Sequence, residues 1–313
     1  MVITAFNAEQ FLAETLESVL GQGEENWTAV VADDASTDGT LAIARSFAAR
    51  DSRITALELP HNLGVVRARN AAIEASPNTE LIALLDHDDY WRPHYLERSL
   101  ALCEAGRAAG RRVGIAASNA FFHDEDGPSE ETVADRFGWT DPIDYDSMLR
   151  KNYVFARAVF SRAAFEEAGG FAPETEGADD YDLWLRIMEL GYEVVSTREP
   201  LAHYRVHSGG MSRRRVLMTE AHLRTYRRTI DRGRLSPNQL KVVRARMRHY
   251  RALRERARFY EAVEARRPLR ALVLGLAAAP HGAVAFLQRP GRWREWLAEL
   301  LRPLARLSGR ERK

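Results

Sequence analysis

The chain has a single cysteine, Cys103, so it can close no intramolecular disulfide and build no cysteine-based zinc cluster, which fits a reducing compartment. No uncharged apolar run reaches the roughly 20 residues that a membrane-spanning helix needs, and no signal peptide is read ahead of the first apolar segment. The Gly-x-Gly-x-x-Gly fingerprint is missing after the first predicted strand, and there is no phosphate-binding P-loop. These two absences argue against a nicotinamide-dependent dehydrogenase and a P-loop nucleotidase. Internal repeats are also lacking.

Net charge is nearly absent too, but only in sum. The 45 Lys+Arg and 44 Asp+Glu leave +1, yet residues 1–215 hold 21 basic against 36 acidic side chains, a net of −15. Residues 216–313 hold 24 against 8, a net of +16. So sharp a split predicts two functional parts, the second facing an anionic surface. With 45% hydrophobic and 28% charged residues over 313 positions, the composition is that of a globular protein able to bury a real core.

The stretch around which the rest is organised is LIALLDHDDYW, residues 81–91. Five apolar residues run without a break and stop at Asp86, His87, Asp88 and Asp89. Such a run suits a strand buried on both faces of a parallel sheet, and acidic residues at its carboxyl end would lie where open α/β sheets bind ligands. Two carboxylates spaced Asp-x-Asp can share a hard divalent cation that in turn carries a diphosphate; a solvated acidic turn is the plain alternative.

Taken in order, strands are predicted at 2–5, 27–32, 54–59, 81–85, 113–122 and 201–206, and helices at 10–20, 40–49, 65–75, 93–109, 162–168 and 182–190. The first strand begins so close to Met1 that the start is expected to clip a few residues. Alternation with short connections means βαβ units and a parallel sheet. The acidic, Gly-Pro-containing segment 123–146 is read as a loop over the sheet's carboxyl edge.

Five segments in a particular order, VITAFN, VVADDASTDGT, NLGVVRARNAAI, LLDHDDYW and GADDYDLWLRIMELGY, resemble the family 2 glycosyltransferases over residues 2–212. The resemblance implies a GT-A fold, a Rossmann-like and mostly parallel sheet flanked by helices. It also implies inverting transfer of a sugar from a nucleotide diphosphate donor, UDP- or dTDP-linked by preference, to a hydroxyl of a glycan or lipid-linked acceptor. A Mn²⁺ or Mg²⁺ ion held by the Asp-x-Asp motif would neutralise charge on the leaving diphosphate. Asp88 is then the direct metal ligand, Asp86 touches the ribose or the metal, and His87 is a spacer pointing away on an extended backbone.

By the same resemblance Asp33 accepts a hydrogen bond from the base, with Asp34 and Ser36 open to a reading as turn and cap residues. Phe6 stands where the family usually has tyrosine and is expected to pack on the base. Thr4 replaces the usual proline, and Asn7 completes this nucleotide-binding set. Arg69 matches the motif arginine for the diphosphate or ribose, while Arg67 is set equally against a solvated helix position. Asp180 takes the role of general base in ADDYDL, with Asp179 as the rival, and clustered carboxylates would raise each other's proton affinity. Trp184 and Arg205 are placed on the acceptor side, with core packing the preferred reading for Trp184. His207 is a third metal or diphosphate ligand or a plain surface residue, and Ser212 to Arg215 are a candidate lid.

Residues 1–215 are thus expected to form the catalytic domain and 216–313 a basic, mainly helical region. Within the latter, 269–287 is the most apolar run, and 291–307 sets Trp293 and Trp296 beside four arginines. That pattern fits a helix on an anionic membrane surface, with an oligomer contact or a solvated appendage as alternatives. No nucleic-acid module is recognisable. The expectation is a cytoplasmic enzyme, peripheral on the inner membrane face if the basic region binds lipid. The rivals are a non-catalytic nucleotide-sugar-binding protein and a sugar-phosphate nucleotidyltransferase; the latter would carry a glycine-rich loop where residues 4–8 stand.

Overall fold

The computed structural model describes residues 1–155 and 157–264. The apolar run 269–287 and the tryptophan-arginine segment 291–307 lie outside the described residues. None of the described helices is long and apolar enough to cross a membrane.

The sequence builds an α/β sheet from its amino-terminal half. Strands β1 (Val2–Ala5), β2 (Ala29–Asp33), β3 (Ile54–Glu58) and β4 (Leu81–Asp86) pair in parallel in the order β3-β2-β1-β4. β1 and β2 are buried at every position, as expected of strands covered by helices on both faces. Helices α1 (Leu12–Leu20), α2 (Thr40–Arg50) and α3 (Val65–Ala75) are the crossovers. α1 buries Leu12, Leu16 and Val19 at helical spacing against one face, and α3 buries Val66, Ala72 and Ile73 against the other.

After β4 the chain makes β5 (Tyr90–Trp91), α4 (Tyr95–Ala108) and the long strand β6 (Val113–Asp124). Next come β7 (Gly127–Thr132), the short helices α5 (Val133–Phe137) and α6 (Tyr145–Arg150), β8 (Ala158–Ser161), α7 (Arg162–Glu167), α8 (Asp179–Glu189) and β9 (Glu193–Arg205). β8 lies antiparallel between β4 and β6; β6 pairs with β9 in parallel, and β5 closes the order against β9.

This order forces the sheet to curl. β5 is four strand spacings from β4, about 19 Å on a flat sheet, yet Tyr90 follows Asp86 by four residues, which span at most about 14 Å. The acidic turn 86–89 therefore bridges two halves of a sheet bent toward each other.

Three segments depart from the sequence expectation. Residues 123–146 are not one loop: β7 pairs back on β6, and α5 follows behind a Thr132–Asp135 capping box. β8 was not anticipated, because four buried residues between Arg157 and Arg162 carry no period long enough to read. β9 begins at Glu193 rather than 201, its first half hidden by charged residues and by Pro200, where the pairing shifts register. In addition, α8 starts three residues early, which puts Asp179 and Asp180 inside its first turn instead of before it.

Helices α9 (Arg215–Asp231) and α10 (Pro237–Glu264) are continuous with the catalytic part. Ala221, Tyr226, Val243 and Met247 share one hydrophobic core with Tyr181, Leu183 and Met148 of α8 and α6. The charge boundary at 215 is thus not a boundary between cores. A polar clamp reinforces the joint: Asp182, fully buried, accepts from Arg186 Nε at 2.7 Å and Arg228 Nε at 3.1 Å, and Arg232 lies 3.9 Å away. Asp182→Ala leaves the Arg186 guanidinium without a carboxylate among the described residues, Arg228 and Arg232 keeping Glu174 and Glu189, and is expected to cost about 3–5 kcal/mol, read as a lower midpoint in urea unfolding.

Candidate active site

The carboxyl ends of β1, β2 and β4 lie level at one edge. Ala5 pairs with Asp33, and Thr4 pairs with both Ala32 and Asp86. This edge and the loops that leave it carry Thr4, Phe6, Asn7, Asp33, Asp34, Asp86 and Asp88, while α3 supplies Arg67 and Arg69, α8 supplies Asp179 and Asp180, and His207 follows β9. Two of them hold non-glycine residues in the left-handed region, Asn7 at φ 49° and Ala35 at φ 59°. Strain of this kind persists only where surrounding bonds impose it. Here they do: Asn7 N–H donates to Ser36 Oγ at 2.9 Å, Asn7 Oδ1 accepts from Thr37 N–H at 2.9 Å, and Ala8 N–H donates to Thr40 Oγ1 at 2.7 Å.

The acidic pair after β2 divides its labour. Asp34 accepts from Leu63 N–H at 2.7 Å with one oxygen and from Gly64 N–H at 2.9 Å with the other, holding the turn into α3 where Gly64 has φ 82°. Asp33 is 1% exposed; its Oδ2 accepts from Ser36 N–H, while its Oδ1 is buried with no hydrogen-bond partner among the described residues. An unfilled buried acceptor at a sheet edge calls for a donor from a ligand. Phe6 stands close in sequence, the residue 43% exposed.

Arg69 is the central cation. It sits buried on α3 and donates to Asp86 at the end of β4 with one terminal nitrogen and to Asp179 in the first turn of α8 with the other. Burial opposes its charge, but Asp179 and Asp86 more than offset that, so its pKa is raised above the ordinary arginine value. Arg67 lies on the opposite, exposed side of α3, away from this bridge. Asn70 exchanges two bonds with the backbone of Phe171, fixing α3 to the segment that leads into α8.

Asp180 neighbours this bridge without joining it. Its Oδ1 accepts from Tyr181 N–H, and Arg69 is spent on Asp179. Its pKa is pushed up to about 7, first by burial and then by the Asp179 charge, with Arg69 offsetting part. The two rivals for the base thus differ in environment: Asp179 is ion-paired, and Asp180 is poised to hold or release a proton near neutrality.

At the acidic turn, Asp88 Oδ2 and His207 Nε2 lie 2.9 Å apart. Burial works most strongly against the Asp88 charge, but the hydrogen bond to His207 together with the nearby His87 and His207 rings outweighs it and holds the carboxyl below its usual range. His207 packs against Phe11, ring centroids 4.6 Å apart. His87 turns inward, its Nδ1 3.0 Å from the Thr4 carbonyl. Among the described residues no three His, Cys or acidic side chains gather as a complete metal cluster. Two protein donors, one carboxylate and one imidazole, fit a Mn²⁺ or Mg²⁺ ion whose remaining positions would be filled by phosphate oxygens and water, while Asp86, two residues before Asp88, is engaged by Arg69.

Two residues assigned to the acceptor face elsewhere. Trp184 is fully buried and packs edge-on against Phe160 at 5.2 Å, because α8 turns that face into the core. Arg205 is buried too: it pairs with Glu14 at 2.6 Å, covers the Phe11 ring, and gives its backbone N–H to Asp89 Oδ1. Sequence reasoning missed the support beneath the turn. Asp89, 1% exposed, pairs with Arg157 at 2.7 Å, and Thr15 Oγ1 lies within 2.8 Å of the carbonyls of both His87 and Asp89. The fourth acid of the run was the available signal for Asp89; Arg157 and Thr15 offered none. Of the candidate lid, Met211–Arg213 forms a short 3-10 turn, and Arg215 begins α9.

The profile of Glycosyl transferase family 2 matches residues 1–169, more than half the chain. The protein belongs to that family. Its similarity to curated relatives is of the same kind: it is 28% identical over 213 residues, 68% of this chain and 78% of the other, to the Escherichia coli UDP-Glc:alpha-D-GlcNAc-diphosphoundecaprenol beta-1,3-glucosyltransferase WfaP. Among solved structures, its fold resembles the mannosyltransferase PcManGT of Pyrobaculum calidifontis in complex with GDP-Man and Mn²⁺ (TM-score 0.60, 21% identity, 99% of this chain and 87% of that one). It also resembles residues 1–349 of Staphylococcus aureus TarS in complex with UDP-GlcNAc (TM-score 0.63, 15% identity, 84% and 80%). The chain is a glycosyltransferase of GT-A fold, and the nucleotidyltransferase alternative falls away.

The raised Asp180 pKa has a measurable effect on stability. The folded value, about 7, exceeds the unfolded one, about 3.9, so the native state binds the proton more tightly. The resulting penalty on the wild type is full above pH 7 and vanishes below about pH 4. Asp180→Asn is expected to be more stable than the wild type at pH 8, the gain disappearing by pH 4 in urea midpoints measured across that range.

Proposed function

We propose that the enzyme transfers a sugar from a UDP- or dTDP-linked donor to a hydroxyl of a glycan or lipid-linked acceptor, with inversion, with Asp180 as general base and a divalent cation at Asp88. The observation that carries this reading is the Arg69 bridge, which joins the Asp-x-Asp strand end to the helix bearing Asp180.

On the donor side, Asp33 Oδ1 would accept the ring N–H of a uracil or thymine, and the exposed Phe6 would stack on that ring. Thr4 at the end of β1, with Asn7 and Asp34 whose side chains hold the adjoining loops, would shape this pocket rather than bond the base. Asp88 and His207, with Asp86 alongside, would hold Mn²⁺ or Mg²⁺, which when bound supplies Lewis-acid neutralisation of the departing diphosphate. Arg69 keeps Asp86 and Asp179 in place and adds positive field at the same edge.

On the acceptor side, Asp180 would take the hydroxyl proton on Oδ2, since Oδ1 is engaged by Tyr181 N–H. Asp179 is held by Arg69, and its charge raises the basicity of its neighbour. WfaP, whose name gives an undecaprenol diphosphate-linked acceptor, supports the lipid-linked class, and the nucleotide complexes of the structural relatives support a nucleotide-sugar donor.

The test is a thermal-shift panel of UDP, dTDP, GDP and CDP with and without Mn²⁺, since a ligand of the native state raises the midpoint by mass action. A Mn²⁺-dependent shift with UDP or dTDP, lost in Asp88→Ala, is expected; no shift with any nucleotide in a folded sample would sink the reading and favour a non-catalytic descendant. In turnover assays kcat/KM should rise with an apparent pKa near 7. Asp180→Asn should lower kcat by roughly a hundredfold or more, the range of a lost general base, while keeping the UDP–Mn²⁺ shift.

A further inference from the structure

A second concavity, of about 450 Å³, lies between α9 and α10. Five arginines line it: Arg224, Arg227 and Arg228 from α9, Arg251 and Arg254 from α10. The spacings of three and four residues put each set on one helical face, so the two sets confront each other across the cleft.

Its two carboxylates do not balance these charges. Glu174 is paired with Arg228, which also serves Asp182, and Glu220 is paired with Arg258 outside the cleft. Arg254 is paired with Glu255. Arg224, Arg227 and Arg251 have no carboxylate partner among the described residues. Arg224 donates only to the Glu176 carbonyl, at 3.3 Å, and its Nε is buried without a partner among the described residues. Guanidinium forks collected without anions match the oxygens of a phosphate group, to which arginine donates in pairs.

The cleft also adjoins the catalytic machinery. Glu176, whose carbonyl Arg224 holds, lies in the stretch that leads into Asp179 and Asp180, and its side chain reaches toward Gly64 at the start of α3. One strand of chain therefore separates the cleft from the base.

We propose that the α9–α10 cleft is a binding site for phosphate carried on a lipid, namely the diphosphate of a lipid-linked acceptor held while its sugar reaches Asp180. The choice of the acceptor as the source rests on the function proposed above; the phosphate chemistry does not.

The experiment uses the full chain and an Arg227→Gln/Arg251→Gln variant; both positions are exposed, and neither belongs to the donor site. Binding is measured by calorimetry without metal, with inorganic pyrophosphate, with farnesyl diphosphate, and with vesicles of phosphatidylcholine alone or in equal parts with phosphatidylglycerol. Pyrophosphate and farnesyl diphosphate should bind the wild type and bind the variant at least about tenfold more weakly, as expected for lost charge-assisted bonds. The UDP–Mn²⁺ thermal shift should be equal in both proteins. Equal pyrophosphate affinity in both would overturn the site, and so would a UDP–Mn²⁺ shift lost only in the variant. Arginine-dependent binding to the phosphatidylglycerol vesicles without binding of farnesyl diphosphate would assign the phosphate to a headgroup and overturn the acceptor role. Failure of nucleotide binding in the wild type, with pyrophosphate binding intact, would count against the donor reading alone.

Discussion

One buried cation organises this protein. Arg69 lies on α3 with almost no exposure, and its two terminal nitrogens reach carboxylates that are distant in sequence, Asp86 and Asp179. A guanidinium taken out of water needs its anions at close range, and anions at that depth need it in return. The end of β4, the middle of α3 and the first turn of α8 are consequently locked to one another. The planar fork of arginine can hold two carboxylates at once; a lysine ammonium could not fix their separation in the same way.

Around that bridge, other buried ion pairs hold the parts that must stay rigid. The acidic turn hangs between two halves of a curled sheet, and it is held from beneath by Asp89 with Arg157 and from the side by Thr15 of α1. On the far side of α8, Asp182 gathers arginines from α8 and α9 and ties the basic helices to the catalytic core. The same helix thus presents Asp179 and Asp180 to the candidate active site and Asp182 to its support, three carboxylates within four residues. Helical geometry separates Asp180 from Asp182, which point about 200° apart, and adjacent Asp179 and Asp180 diverge by about 100°.

That divergence also separates the chemistry of neighbours. Asp179 and Asp180 have the same side chain, yet one is neutralised by Arg69 and the other is left in a low-dielectric setting beside its partner's charge. Environment rather than residue type decides which carboxyl carries a proton near neutrality. Asp33 and Asp34 part in the same manner, Asp34 consumed by backbone donors and Asp33 left with an open acceptor.

Much of this was legible in the residues. Apolar runs ending in acid marked β2 and β4, shorter apolar segments marked β1 and β3, helical patterns marked α1 to α4, and five ordered motifs pointed to the family. These signals are local, set by the periods of 2 and 3.6 and by short loops whose chemistry depends on adjacent residues. What only the tertiary structure decided depends on distant contacts. β8 and the first half of β9 exist because neighbouring strands complete their hydrogen bonds, not because their sequences alternate. Trp184 went to the core and Arg205 to Glu14 because helix and strand register, not residue type, sets where a side chain points. The joining of Arg69 to Asp179 across 110 residues, and the confrontation of arginines between α9 and α10, arise from packing that no spacing along the chain encodes.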